Sequence, residues 1–484
     1  MRLPSTGLTV TLGTLAVLAA LAAAEAWAQP ASMGPLGTPM PAVDEKIQEV
    51  ADAKARFTKT DFAGALTLLR EAVKKNADRL PTAQVIMAMW YAEANQGAAV
   101  LGSLEMAVAE DPGDPQAYLI LANVELQAGR VTAAGLLFDK AQSLMGSFKS
   151  PNRKKNLEPN VYAGLAAVAE SRATMAEEDK ARANQEWVGA EEKLRAWLKL
   201  DPNNAIALQR LARALFKQGS LEKQDKEKAK QKVNEAYERL KDAQKAEANV
   251  LNPAATMARF YQDEGDFNNA KKFMAYALQT AGEDLRTRLE AARWCLQTVL
   301  DDPGQLEQAK EHASKAIRLD EKSMDAMILR GAVALYQKEY EPAERYFQSA
   351  HWQSPGTFAA SNDLALALCE QDETKKRRAL ELATNNAKQH QEDQYAGEAA
   401  STYAWVLYKN NRLADADNVL NRLLSSARVS EDTLYYAAKV NADRGRRELA
   451  TQLLQRALGT KRPFSMRPEA LLLSEQLRKA PSTP

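Results

Sequence analysis

The chain has little of what reactive sites are built from. Its 484 residues include only two cysteines and three histidines, and its formal net charge is +1. Runs of alternating Val, Ile and Thr bounded by turn residues are missing, so no sheet is expected. Without a strand there is no place for a glycine-rich phosphate loop, and no His-Glu-x-x-His, Gly-x-Ser-x-Gly or Cys-x-x-Cys occurs. Near-neutrality gives no reason to expect nucleic acid or an anionic membrane as a general partner. Neither a cofactor nor a metal is expected. These absences argue against an enzyme.

What is abundant is Ala, Leu, Glu, Lys and Gln, all good helix formers. Tyr118 to Ala141, YLILANVELQAGRVTAAGLLFDKA, reads as two short helices joined by a tight turn. Tyr118, Leu121, Ala122 and Leu126 share one face at helical spacing. Gly129 can take the positive φ that ends the first helix. Ala134, Phe138 and Ala141 carry the second. Small residues at Ala122, Ala134 and Ala141 let two backbones approach, which makes such positions the least replaceable. Neither helix can bury its apolar face alone, so the unit must stack on copies of itself.

The copies are present. Ala258, Gly265, Ala270, Met274 and Ala277 repeat the spacing, as do Gly331, Ala343, Phe347, Ala350 and Pro355, and Ala438, Gly445, Ala450, Leu454 and Ala457. The small residue of each first helix can be followed through Ala53, Ala88, Ala122, Ala166, Ala212, Ala258, Ala292, Gly331, Ala365, Ala404 and Ala438, with steps of 34 or 35 residues recurring between them. That gives eleven candidate repeats. The pattern resembles the tetratricopeptide repeat, with its small residues, glycine turn, Ala-x3-Phe and closing Pro. The resemblance covers nearly all of the chain beyond residue 42. It implies an all-α fold, a right-handed α-solenoid (superhelix) of helical hairpins.

The N-terminus is read separately. Arg2, an apolar run from Leu8 to Ala24 and the small residues flanking Trp27 suggest a secretory signal peptide over 1–28, cleaved after Ala28. The alternative is an uncleaved membrane anchor, since the run approaches a spanning length. Residues 29–42 form a Pro- and Gly-rich linker, 43–466 the solenoid, 467–479 a capping helix and 480–484 a disordered tail. The cap is expected to bury Leu471, Leu472 and Leu477. In the solenoid, Lys149, Arg153, Lys154 and Lys155 mark a basic surface loop between Met145 and Pro159. Charged stretches Glu177 to Glu186 and Glu222 to Lys245 extend the helices of the fourth and fifth repeats. Asp301 to Gly304 and Gln371 to Arg378 are turn insertions, and Asn410-Asn411 replaces the glycine turn. Cys295 and Cys369 lie two repeats apart, too far to pair, and read as small buried residues.

Searching for chemistry yields little. His312, His351 and His390 are evenly spaced but fall in different repeats, so their rings cannot share one ion. Asp301-Asp302 is the best acidic pair, in an expected surface turn. An all-helical enzyme would have to be built on such a pair. The resemblance implies instead that first helices line a concave surface. Projecting into it are Met89, Asn123, Gln127, Gln209, Arg213, Lys217 and Arg259, then Trp405, Tyr408, Lys409, Tyr435 and Lys439. The family's Lys-Asn-Asn-Lys-Arg set for a C-terminal carboxylate is not reproduced. Trp405 and Tyr435 are either exposed anchors for a peptide or packing between adjacent first helices. Arg213, Lys217 and Arg259 would favour an acidic segment, unless carboxylates such as Asp263 neutralise them. The expected function is an exported, non-catalytic scaffold, periplasmic or secreted, binding a protein or peptide. The alternative is a component of envelope protein or polysaccharide export, as in similar bacterial proteins made of many such repeats.

Overall fold

The computed structural model describes residues 43–94, 96–391, 393–425, 429–460 and 462–479. The signal-peptide, linker and tail expectations lie outside these residues. Among the described residues there are 23 helices and no strand, an all-α helical repeat fold. The chain divides into two compact units, one ending at Lys271 and the other starting at Lys272.

In the first unit, α1 (Gln48–Phe57) pairs with α2 (Phe62–Lys75), α3 (Ala83–Glu93) with α4 (Gly97–Glu110), and α5 (Pro115–Gln127) with α6 (Val131–Met145). Two longer pairs follow, α7 (Pro151–Met175) with α8 (Lys180–Leu200) and α9 (Ala205–Leu221) with α10 (Lys226–Ala246), and then α11 (Pro253–Asp263). Helix α12 (Phe267–Ala281) spans the division. The second unit pairs α13 (Leu285–Gln297) with α14 (Gln305–Leu319), α15 (Met324–Tyr336) with α16 (Tyr340–Gln353), and α17 (Phe358–Cys369) with α18 (Glu373–Gln389). The pairs α19 (Ala396–Lys409) with α20 (Leu413–Leu424) and α21 (Glu431–Asp443) with α22 (Arg447–Leu458) follow, and α23 (Arg467–Lys479) ends the unit.

The small residues sit where helices cross. Ala122, Ala134, Ala141, Ala365 and Ala404 have no exposed surface. Two glycines show how close that approach is. A Cβ on Gly164 would fall 2.1 Å from the Phe138 ring, and one on Gly331 would fall 2.7 Å from Phe347. The ring of one helix therefore occupies the space a side chain would need on the next. Hairpin turns require positive φ, which Gly129 supplies at 75° and Asn411, without a glycine, at 60°. Helix starts are fixed by side chains that accept from orphan backbone N–H groups, as Asp114 does from Gln116.

Three expectations are corrected. The basic stretch after Met145 is not a surface loop: Pro151 opens α7, and Pro159 lies inside that helix. Burial of Leu157 and Val161 outweighs the hydrogen bond that proline forgoes. Lys149 and Lys155 are exposed, but Arg153 is buried. Its Nη2 donates to both Asp114 oxygens at 2.9 and 2.6 Å and to Gln116 Oε1 at 3.0 Å. Second, the turn at Gln371 is short, because Asp372 caps Thr374 and Lys375 and the charged run from Glu373 is helical. Third, the last helix faces the core with Ala470 and Leu473, with Leu477 packed beside them, while Leu471 and Leu472 are exposed. The spacing of Ala470, Leu473 and Leu477 is the helical stripe. Of the extra charged stretches, residues 180–186 open α8 and residues 226–245 fill most of α10, each helix having 21 residues, whereas α7 reaches 25 by taking in residues 151–159.

Candidate functional site

Helical stacking places first helices beside one another, so their outward side chains meet across repeats. In the first unit this does not create a bare cationic patch. Arg213 is exposed, with its guanidinium 5.9 Å from the Trp187 ring centre. Lys217 is ion-paired with Glu264, which also accepts from Ser220 Oγ at 3.3 Å. Arg259 is half-buried. The neutralising carboxylate for Lys217 is therefore Glu264, and the three positive charges do not stand free together. Gln209 is half-buried and donates to Ala205 O at 3.3 Å. Asn123 is half-buried with its Oδ1 unpartnered, Met89 packs into the core, and Gln127 is exposed.

A cleft of about 430 Å³ opens between α8, α9 and α10. Its centre is Glu191, which accepts from Lys232 and Gln218 at 2.7 Å each and from Arg195 at 2.9 Å. Burial works against its ionisation, but these donors outweigh it and hold the carboxyl below its usual range. The cleft wall is largely an ion-pair network around Glu191, with the Asn184 Oδ1 left unpartnered among the described residues.

In the second unit, Trp405 and Tyr435 are buried, which of their two readings favours packing between adjacent first helices over exposed anchors. Trp405 stacks on Tyr436 with ring centres 4.4 Å apart and donates from Nε1 to Glu370 at 2.9 Å. Lys409 caps that carboxylate at 2.6 Å and lies 5.0 Å from the Trp405 ring centre. Tyr408 donates to Asp443 Oδ2 and Lys439 to Asp443 Oδ1, both at 2.7 Å. This is packing between neighbouring first helices, its charges paired.

Beside it lies a group that the sequence reading missed. Asp363 on α17, Glu398 on α19 and Asp432 on α21 come from three successive first helices. Asn362 is about 1 % exposed, and its Nδ2 lies 3.4 Å from both Asp363 Oδ1 and Glu398 Oε1. Asn362 Oδ1, Asp363 Oδ2 and Glu431 Oε2 are buried without a hydrogen-bond partner among the described residues. Glu398, Asp432 and Tyr336 are half-buried. Burial, with mutual repulsion, pushes Asp363 up to about 7 and Glu398 to about 8. Burial likewise raises Asp432 to about 6, against the pull of Lys338 and a hydrogen bond from Ser465. One signal was available: Glu398 and Asp432 precede the small Ala404 and Ala438 by the same interval, so they share a register on their helices.

The other candidates are dispersed. Cys295 and Cys369 are free and buried, and burial pushes the Cys295 thiol up to about 12. His312 contacts Arg288 Nη1 at 3.0 Å, whereas His390 contacts Asp393 at 2.6 Å. Asp302 holds its own turn by accepting from Gly304 N at 2.9 Å. Among the described residues no three His, Cys, Asp or Glu side chains converge as a metal set would need. None of the described helices is long and apolar enough to cross a membrane.

Comparison with known proteins agrees with the repeat architecture. Residues 91–148 match the family model described as tetratricopeptide repeat. No curated protein matches the chain. Among solved structures it is similar to yeast Tom70, at 16% identity and a TM-score of 0.35, over 89% of this chain and 95% of that one. A tetratricopeptide repeat protein from Parabacteroides merdae aligns at 12% identity and a TM-score of 0.33, over 64% of this chain and 98% of its own. YrrB, described as a TPR protein with an unusual peptide-binding site, aligns at 19% identity and a TM-score of 0.26, over 43% and 98%. The family match covers one stretch of the first unit, and helix pairs run through both units.

Proposed function

We propose that the chain is a non-catalytic scaffold of eleven tetratricopeptide-like repeats that binds a protein or peptide along its first helices. The observation that supports this most is that first helices in the second unit adjoin one another directly, giving a surface continuous across repeats. Glu370 of one repeat binds Trp405 and Lys409 of the next, and Tyr408 of that repeat binds Asp443 of the one after. Such a surface presents side chains to an extended partner without assembling a reactive constellation. Photo-crosslinking groups placed at Gln209 and Tyr403, on first helices, should trap a partner in cells. The same groups at Leu101 and Leu136, on exposed positions of second helices, should not. Equal adducts at both sets would overturn the assignment.

We further propose that the protein is exported, from Arg2, the apolar run and Ala26-Trp27-Ala28. Sequencing of the mature protein should begin at Gln29. A chain starting at Met1 and sedimenting with membranes would instead mean an anchor.

A further inference from the structure

The cluster beneath Glu398 and Asp432 is unusual in being made of acceptors. Asp363, Glu398 and Asp432 project from successive first helices, and Asn362 lies between two of them. Asn362 spends its amide N–H groups on those carboxylates and leaves Oδ1 unpartnered and buried. Asp363 Oδ2 and Glu431 Oε2 are in the same condition. A buried acceptor without a donor is costly, and more so when it is charged. Lys338 lies beside Asp432, but it is held by Ser465 O at 2.8 Å and by Glu469 at 2.8 Å and so does not fill this role. Among the other described residues the buried carboxylates of Asp114, Glu290 and Asp417 each have a cation. Here Asn362 bridges Asp363 and Glu398, Asp432 accepts from Ser465 and the Met466 backbone, and Glu398, Asp432 and Tyr336 are half-buried.

We propose that this face is a clamp for a cationic group, in which the half-buried Glu398 and Asp432, with Asp363 buried behind them, receive the lysine ammonium or arginine guanidinium of a basic peptide. The inference rests on the scaffold reading and specifies its partner's chemistry, opposite in sign to the acidic segment suggested by Arg213, Lys217 and Arg259. Donor-rich cations match the site: an ammonium offers three N–H groups and a guanidinium five, with no acceptor to clash. Half-buried carboxylates strengthen such a contact relative to one in open water.

The test uses the full mature chain and labelled, N-acetylated decapeptides alternating Ala with Lys, Arg or Glu, followed by fluorescence anisotropy. The Lys and Arg peptides should bind saturably, and the difference between them identifies the preferred donor group. The Glu peptide should not bind. Replacing Glu398→Gln together with Asp432→Asn keeps shape and acceptors, so circular dichroism should be unchanged while affinity for the basic peptides falls at least tenfold. A second measurement needs no variant. Asp363, Glu398, Asp432 and Glu431 face the site together with Tyr336 and Lys338, and the raised carboxyls gain charge between pH 6 and 8, so wild-type affinity should climb across that range. Equal binding of the Glu peptide, an unmoved double variant, a flat pH profile or no binding of either basic peptide would each overturn the clamp. The crosslinking pattern would stand apart from any of these, since it does not depend on the partner's charge.

Discussion

Arg153→Ala is expected to destabilise the first unit by about 3–5 kcal/mol, the cost of leaving a buried carboxylate without its cation. Asp114 is buried, and Arg153 supplies three contacts through one nitrogen to it and Gln116. Asp114 also starts α5, so its displacement would unsettle the helix start as well as the ion pair. Thermal melts of the full chain should show an earlier transition that is absent in the wild type, because a stacked array loses neighbouring interfaces locally. Arg153→Met combined with Asp114→Asn should recover much of the loss. Asn keeps the cap acceptor and carries no charge to strand. If the single variant melts like the wild type, or the pair is no better than the single, the buried-charge account is wrong.

A second large effect concerns pH. Unfolded, Asp363, Glu398 and Asp432 titrate near 4. In the folded unit burial raises them to about 7, 8 and 6. Between those limits the native state holds more protons than the unfolded state. The stability they contribute is therefore complete at low pH and is lost as pH climbs through the folded values, with no further change above about 8. The second unit should thus become more resistant to opening as pH falls from 8 towards 5, the reverse of ordinary acid weakening. Hydrogen exchange of peptides from 358–443, corrected for intrinsic rate, reads this directly. Glu398→Gln should flatten the trend, and protection that declines with acid in the wild type would refute the assignment.

The hairpins were legible because their determinants are local. A small residue, a turn residue with positive φ and an aromatic one turn into the second helix recur within a single repeat, and each is visible without knowing its neighbours. The residues misread or left open owe their placement to partners far along the chain. Arg153 looks like one of four solvated cations until Asp114 is known to lie against it. Trp405 is an exposed anchor or a packed ring depending on Tyr436 and Glu370, which come from the hairpins on either side. The acceptor cluster was missed for a related reason. Asp363, Glu398 and Asp432 each read as an ordinary polar residue on its own helix, and only stacking sets them together away from water.

Lys338 sits at a hairpin turn in the left-handed region and binds the backbone of Ser465, more than a hundred positions further on. In an array where each layer touches only the next, assembly can begin anywhere and spread. This tie instead joins two ends of a long arc. Closing it from an unstructured chain would cost on the order of 4 kcal/mol in loop entropy, but almost nothing once the intervening hairpins are stacked. The tie thus converts part of an open-ended array into a closed loop whose last step waits on all the others. In the second unit this late closure is expected to add cooperativity to neighbour-to-neighbour packing, with the start of the final helix tied back to the turn between α15 and α16.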